Sequence, residues 1–355
     1  MKEKFSSVGY SLLGPVIALI LSFVVGGIFI LTIGQNPFEV YNRFFSDSLG
    51  NTYGIGQILF KATPLMFTGL SAAICFKANL FNIGSEGQLT IGALATALIG
   101  AYCHTLPSIV LIPLCIIGGM AGGALWGSIP GILKAQFGAH EVINTIMMNF
   151  IAMGIASYLI TNVVGVVATV HTTEISSSAT LPRLDEIISL FHASPVNASF
   201  LLAVIGCIGI YYLINKTRWG YEIRTIGLNS AAAEYARISI RKNIILTFMV
   251  AGACAGLVGT NFVLGYKHYY ELGFSEGTGF IGIAVALLAK NNPIGIIVTS
   301  LFFGLLEYGS LTINTMVPKE LSNILQAIVI LFIITLAKIM EVWIQRRRSA
   351  ASANA

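Results

Sequence analysis

Charge is scarce in this sequence. Lys, Arg, Asp and Glu together make up 10% of the 355 residues, whereas soluble domains carry about 25%. Hydrophobic residues make up 55% of the chain, and the mean hydropathy is +0.82. Because one bilayer span needs roughly 20 apolar residues, this composition excludes an ordinary soluble domain and predicts an all-α polytopic membrane protein.

Catalytic and metal-binding motifs are also missing. There is no GxxxxGK(S/T) loop to cradle ATP phosphates, and no GxSxG, HExxH or paired-Asp motif. The five histidines are isolated, and the five cysteines form no CxxC pair or zinc-type spacing. No basic stretch interleaved with aromatic residues suggests nucleic-acid binding. A hydrolytic enzyme, a disulfide framework and a metal site are therefore not expected.

Apolar runs predict about ten transmembrane helices in a single domain, 1–355. They lie near 11–33, 57–76, 88–105, 107–130, 141–163, 198–215, 244–265, 277–289, 294–316 and 321–341. The eighth run is too short to cross alone, so we expect it to join the irregular stretch 273–279 as a broken helix, shielded from lipid by protein or a watery cavity. With both termini in the cytoplasm, fifteen of the twenty Lys and Arg residues lie on the cytoplasmic side, which is the positive-inside pattern.

A Ser-Glu-Gly turn occurs twice, at 85–87 and again 190 residues later at 275–277. Six of the fourteen positions from Ser85 and from Ser275 onward are identical. An odd number of predicted spans separates the copies, so they would run in opposite directions, as in transporters built from inverted repeats. We therefore predict two inverted five-helix repeats with broken helices, about 1–197 and 198–355. Chance similarity between two Gly/Ala-rich helices is the alternative.

Polar side chains at membrane depth are the candidate site residues. A charge there costs several kcal/mol, so such residues face a cavity or a partner. They either line a translocation path or cap broken helices and pin helices together. For Glu86 and Glu276, each beside a glycine at a helix start, we favour capping; Asn144 and Asn149 suit either a path or interhelical hydrogen bonds. The candidates are Asn79, Asn82, Glu86, Gln88, His140, Glu141, Asn144, Asn149, Glu276 and Glu307.

Two further features concern packing and docking. Glycines recur every four residues at Gly119, Gly123, Gly127 and Gly131, and again at Gly252 and Gly256; such stripes predict close helix packing. The long loop 165–197 is either a docking surface for a partner or a plain solvated loop. The basic segment 216–243 contains a short helix-forming run, 231–235, that Asn229 or Ser230 can cap. It suits docking against another protein, although a solvated connector is the default interpretation.

Four stretches in order resemble the membrane subunit of an ABC importer, in the branched-chain amino acid, simple-sugar and nucleoside permease group. They are LFNIGSEGQLTIGA (80–93), GALWGSIPGILKAQFGAHEVINTIMMNF (123–150), GLNSAAAEYARI (227–238) and GTGFIGIAVALLAKNNP (277–293). The resemblance covers almost the whole chain. Within the group, the first two stretches look most like permeases for nucleosides.

The resemblance implies roles for particular residues. Gly227, Asn229, Ala232, Ala233 and Glu234 match the family's cytoplasmic coupling loop, which contacts the ATPase subunit. Arg237 stands where a glycine is common in such loops, which puts the fine docking geometry in doubt. ATP and Mg²⁺ would belong to a separate chain, and this chain would bind no cofactor and have no ATPase site.

The implied assembly lies in the bacterial cytoplasmic membrane. It contains two permease subunits, identical or different, with two ATP-binding subunits and an external substrate-binding lipoprotein. The expected function is inward transport of nucleosides. One alternative is the same machine importing a simple sugar such as ribose or galactose, and another is an ion-coupled secondary transporter in which Glu86 or Glu307 titrates.

Overall fold

The computed structural model describes residues 20–21, 23–187, 191 and 193–318, with scattered positions from 321 to 339. Regular structure in this part of the chain is helical, apart from three isolated bridges, Gly165–Thr172, His171–Glu271 and Arg183–Asn197. The prediction of an all-α membrane protein is confirmed. The chain divides into two compact units, Thr52–Leu305 and the remainder, Met1–Asn51 with Leu306–Ala355.

The helices are named in chain order. They are α1 Phe23–Thr32, α2 Pro37–Leu49, α3 Thr52–Lys77, α4 Ser85–Tyr102, α5 Ser108–Phe137, α6 Glu141–Leu159, α7 Leu184–Ile187, α8 Ser199–Lys216, α9 Arg218–Leu228, α10 Ser230–Tyr235, α11 Ile240–Gly256, α12 Thr278–Leu288 and α13 Pro293–Thr312. The α6 and α11 helices continue as π-helical turns, Ile160–Val164 and Thr260–Lys267.

Six helices among the described residues are long and apolar enough to cross a membrane. They are Thr52–Lys77, Ser108–Phe137, Glu141–Val164, Ser199–Lys216, Ile240–Lys267 and Pro293–Thr312. Each matches a predicted span. The predicted spans at 88–105 and 277–289 correspond to α4 and to the short helix α12. The described part of the first predicted span, 20–21 and 23–33, contains the short apolar helix α1, and the last predicted span falls largely outside the described residues. The arrangement as ten helices in two repeats stays a prediction.

Glycines bring α4, α5 and α11 into backbone contact at the centre of the larger unit. A Cβ added to Gly123 would lie 2.1 Å from the carbonyl oxygen of Gly252, and one added to Gly119 would lie 3.1 Å from that of Gly256. At Gly92 the added atom would meet the Gly256 Cα at 2.4 Å. Side chains at these positions would push the helices apart, so the predicted role of the stripes in tight packing is confirmed.

The loop 165–197 is packed against the chain that follows α11. The amide of Thr172 donates to the Tyr270 carbonyl (2.9 Å), and the amide of Ile175 donates to the His268 carbonyl (2.8 Å). Ile175, like Ala179 within the loop, is buried. The loop is therefore fixed to the body rather than freely solvated, and its use as a docking surface stays a prediction.

The smaller unit contains α1, α2 and the end of α13. Asn36 caps α2 by accepting the Phe38 amide, and Pro37 occupies the first helical position, where its missing N–H has no helical partner to lose. The Tyr41 hydroxyl donates to the Phe23 carbonyl of α1 (2.7 Å). This pair fixes the two short helices against each other.

Candidate functional site

A break separates α3 from α4 at residues 78–84. Asn79 has φ +55°, and its amide donates to the Phe76 carbonyl (3.1 Å) while the Leu80 amide donates to that of Cys75 (3.0 Å). This is the left-handed termination that glycine or asparagine supplies at helix ends. The Asn79 side chain is exposed, so this residue terminates α3 and does not join the polar cluster described next.

Four buried side chains form a hydrogen-bonded cluster around the break, here called the break cluster: Ser71, Asn82, Ser85 and Gln88. The Asn82 amide nitrogen donates to Gln88 Oε1 (3.1 Å), and Asn82 Oδ1 accepts the Gly84 amide (2.9 Å). The Ser71 and Ser85 hydroxyls share a hydrogen bond of 3.0 Å. Because buried polar groups need partners, these bonds hold the interrupted backbone in one arrangement.

Asn149 of α6 supports the same break from the other side. Its Oδ1 accepts the Gly87 amide (2.8 Å), and its Nδ2 donates to the Ile83 carbonyl (3.0 Å). Thr145, one helical turn earlier, accepts the Ile83 amide (3.3 Å). Asn149 therefore satisfies backbone groups that the end of α3 and the start of α4 leave free. Of the two interpretations left open for it, interhelical hydrogen bonding is the one this geometry displays.

Glu86 joins the two Ser-Glu-Gly turns. Its side chain is 6% exposed; one carboxylate oxygen accepts the Gly279 amide (2.7 Å), and the other accepts the Ser275 hydroxyl. The carboxylate thus caps the first turn of α12, where the helix dipole favours negative charge. The sequence favours capping beside the glycine at the start of its own helix, whereas the carboxylate caps α12 through the Gly279 amide, 193 residues further along the chain.

The remaining candidates are dispersed. Glu276 is exposed with φ +45° in the turn before α12, so the two repeat copies place their glutamates in different environments. Glu141 forms an ion pair with Lys134 (2.8 Å). Asn144 Nδ2 is buried without a hydrogen-bond partner in the described part of the chain. His140 is exposed and Glu307 half-buried.

The segment 218–235, α9 and α10 together, is here called the docking segment. Thr217 caps α9 by accepting the Gly220 amide (3.1 Å), and Asn229 caps α10 by accepting the Ala232 amide (3.1 Å). Ala233 is fully buried, whereas Ala232 and Glu234 are exposed. A short helix stands where the sequence predicted one; its coupling role stays a prediction.

Gly227 places the docking segment directly on the end of α3. A Cβ at this position would lie 2.3 Å from the Lys77 carbonyl oxygen and 3.2 Å from the Ala78 carbonyl carbon. Any side chain would therefore force α9 away. The contact is one residue from Asn79, so the docking segment touches the helix end that opens the break.

Glu222 ties the docking segment to α11, and sequence reasoning missed it. Its carboxylate accepts hydrogen bonds from Asn243 Nδ2 (2.9 Å) and Arg218 Nε (2.9 Å). The hydrogen bond from Asn243, with help from Arg218, holds the pKa of Glu222 below its ordinary value. The spacing of Arg218 and Glu222, four residues apart on a helix, was a usable signal for the ion pair.

Arg237 ends α10 in the left-handed conformation, with φ +58°. Its amide donates to the Glu234 carbonyl (2.9 Å), and the Ile238 amide donates to that of Ala233 (3.0 Å). This bonding pattern favours glycine, and an arginine there carries a conformational cost on the order of 1 kcal/mol. The helix therefore ends at Arg237 in the conformation that a glycine would adopt.

A second buried polar cluster was not predicted. Asn261, in the π-helical turn after α11, donates to the Phe60 carbonyl (3.3 Å), and its Oδ1 accepts from Asn197 (3.1 Å) and from the Ser199 hydroxyl (3.0 Å). The sequence held a signal for this second cluster. The shift of 190 residues that aligns the two Ser-Glu-Gly turns also aligns Asn261 with Ser71 of the break cluster.

These features define a class of protein. The chain is an integral membrane protein whose described regular structure is helical, with interrupted helices pinned by buried polar side chains and two short helices, α9 and α10, packed on the end of one span. Within the described residues, no group of three or more His, Cys, Asp or Glu could hold a metal ion. The chain belongs to the family described as the branched-chain amino acid transport system / permease component, whose model matches residues 54–334.

Three relatives cover most of the chain. The guanosine ABC transporter permease protein NupP of Bacillus subtilis is 39% identical over 330 residues, which is 91% of this chain and 92% of that protein. The nucleoside ABC transporter permease protein NupB of Lactococcus lactis is 36% identical, covering 96% and 95%. The glucose ABC transporter permease protein TsgB13 of Haloferax volcanii is 34% identical, covering 90% and 86%.

The first two organisms each contain a second, more distant match. These are the guanosine permease protein NupQ, 27% identical over 75% of this chain, and the nucleoside permease protein NupC, 26% identical over 71%. Comparison with solved structures finds no significant match.

Proposed function

We propose that this chain is the membrane-spanning permease subunit of an ATP-binding cassette importer that moves nucleosides inward. The observation that carries the proposal is the 36–39% identity, over more than nine-tenths of the chain, to permeases named for guanosine and nucleosides. The energy would come from ATP hydrolysed, with Mg²⁺, by a partner subunit; this chain itself would bind no cofactor.

The contacts of the docking segment supply a mechanism. The segment touches the end of α3 through Gly227 and the start of α11 through Glu222. The α3 end leads into the break cluster, and α11 packs on α5 through glycine. A displacement of the docking segment by the ATP-binding subunit would therefore move two helices at once. The partner would shift the balance between inward-facing and outward-facing states through its different affinity for each.

The ten-helix inverted repeat is part of the proposal. Adding 190 to the bounds of α3 gives 242–267, and the helix with its π turn at Ile240–Lys267 occupies that position. The same shift takes α4 to 275–292, which contains α12. With the distribution of Lys and Arg, this register supports both termini in the cytoplasm of a bacterial cell and the segment 216–243 on the cytoplasmic side.

The proposed assembly contains a second permease, two ATP-binding subunits and an external substrate-binding lipoprotein. The occurrence of two differently named permeases in each of two organisms supports a heterodimer. We place the translocation path beside Asn144, whose buried Nδ2 has no partner among the described residues, and not at Glu86, whose carboxylate is occupied.

A simple sugar is the second candidate cargo, because a permease named for glucose is 34% identical to this chain. The ion-coupled alternative has less support, since both Glu86 carboxylate oxygens already accept hydrogen bonds at the start of α12.

The energy source is tested by measuring guanosine uptake in cells after two treatments. Deleting the ATP-binding subunit should abolish uptake, while a proton or sodium ionophore should leave it intact when cellular ATP is maintained. Loss of uptake with the ionophore alone would contradict the proposal and favour an ion-coupled transporter.

A further inference from the structure

Several helices of the larger unit end at a residue in the left-handed conformation, and these residues differ. Gly138 ends α5 with φ +66°, Asn79 ends α3 with φ +55°, Arg237 ends α10 with φ +58°, and Lys290 ends α12 with φ +53°. Glycine has no Cβ to crowd the following carbonyl, and asparagine tolerates this conformation. Arginine has neither of these properties, so the left-handed conformation does not favour it. The backbone therefore gives no reason for a basic residue at either Arg237 or Lys290, but Arg237 differs from Lys290 because it lies in the basic segment 216–243.

The Arg237 side chain is exposed, and it forms no ion pair with any residue that the structure describes. Arg241 and Lys242 follow it and are also exposed. The segment 216–243 carries six basic and two acidic residues, for a net charge of +4. Three of these cations, Arg237, Arg241 and Lys242, are exposed and follow α10, where Glu234 is the one acidic residue in the sequence from 230 to 243.

Two large apolar side chains stand beside this charge. Leu228, just before α10, is 89% exposed, and Tyr235, at its end, is 91% exposed. Exposed apolar residues rimmed by charge are typical of protein interfaces, in which buried apolar anchors supply affinity and rim charges supply specificity. A membrane-surface role would need cations along a longer amphipathic helix, and α10 has only six residues.

We propose that Arg237, two residues beyond the docking segment, is a specificity residue for the same partner, and that its guanidinium pairs with a carboxylate in an acidic groove of the ATP-binding subunit. The proposal rests on the proposed function, which supplies that partner. A guanidinium can bind a carboxylate through two parallel hydrogen bonds, which fixes orientation as well as attraction. Leu228 and Tyr235 occupy the apolar floor of the same groove.

The test uses the whole transporter, purified in detergent through a tag on this chain. The amount of ATP-binding subunit retained is measured from about 50 mM to about 500 mM NaCl, a range over which screening of surface charge becomes severe. Arg237→Lys keeps the charge, Arg237→Gly removes it and relaxes the backbone, and Arg237→Glu reverses it. The matched control is Lys290, which is also basic, exposed and left-handed, with φ +53°.

We expect Arg237→Glu to lower retention of the partner at least about tenfold at low salt, since it places like charges together. Arg237→Gly should lower retention several-fold and flatten its salt dependence, Arg237→Lys should give an intermediate loss, and Lys290→Glu should retain the partner normally. Because glycine suits this backbone better than arginine, loss of the partner from Arg237→Gly cannot be attributed to a misfolded helix.

Three outcomes would overturn the inference. Normal retention by Arg237→Glu, with loss in Glu234→Lys, would refute the role of Arg237 and leave the proposed function standing. Normal retention by both variants would refute the docking assignment itself. A loss seen only in nanodiscs containing phosphatidylglycerol, and not in detergent or phosphatidylcholine nanodiscs, would assign the guanidinium to an anionic lipid headgroup instead.

Discussion

Replacing Gly227 with alanine should uncouple ATP hydrolysis from transport. The new Cβ would lie 2.3 Å from the Lys77 carbonyl oxygen and 3.1 Å from its carbonyl carbon, both backbone atoms that cannot rotate away. To reach an ordinary carbon–oxygen separation of about 3.5 Å, α9 must retreat from α3 by about 1 Å. Such overpacking costs roughly 1–3 kcal/mol, and we expect the cost to fall on the contact between docking segment and break.

The assay is the initial rate of guanosine uptake, normalised to the amount of this chain in the membrane. A loss of 1.4 kcal/mol corresponds to about tenfold, so uptake should fall roughly tenfold or more while the ATP-binding subunit continues to hydrolyse ATP. Gly209→Ala in α8 is the matched control, because nothing lies within 4 Å of its added Cβ. Normal uptake by Gly227→Ala would refute the assignment of this contact to coupling.

Three other substitutions test the account. Asn149→Leu leaves the buried Gly87 amide and the half-buried Ile83 carbonyl without this partner, at up to about 1–3 kcal/mol each. It should therefore lower the thermal stability of the purified protein far more than Cys207→Ala, and equal, mild effects would contradict the support that Asn149 gives to the break. Glu86→Ala removes both hydrogen bonds to the start of α12, each worth about 1.5–3 kcal/mol because the acceptor is charged. Glu86→Gln should retain part of that stability, and identical stability of the two variants would refute the cap. A cysteine at the exposed Ser177 should react with an impermeant reagent from outside intact cells, and labelling only from the cytoplasm would overturn the topology.

The sequence was sufficient for the features that depend on neighbouring residues. Apolar runs located the six helices that are long enough to cross a membrane, because lipid allows only helices there. The four-residue glycine spacing predicted that α5 and α11 pack closely, though not that they pack on each other. The docking helix was readable from Asn229, whose side chain caps it as expected.

Contacts between distant segments could not be predicted in the same way. Glu86 and Gly279 are 193 residues apart in the sequence. The helix preferences of neighbouring residues do not predict a contact between segments so far apart. The hydrogen bond from Asn243 to Glu222 depends on how α9 lies against α11, which loop composition does not specify. Asn79 belongs to the residues predicted either to line a path or to cap broken helices, and its left-handed backbone at the end of α3 fits the second role.

The central claim is that this chain imports nucleosides, and uptake by cells with and without its gene tests it most directly. Radiolabelled guanosine, uridine and ribose would be supplied separately, with the gene restored in a third strain. The account predicts that deletion abolishes uptake of at least one nucleoside, that ribose uptake is unchanged, and that restoring the gene recovers transport. Loss of ribose uptake with both nucleosides still imported would contradict it and make this chain a sugar permease.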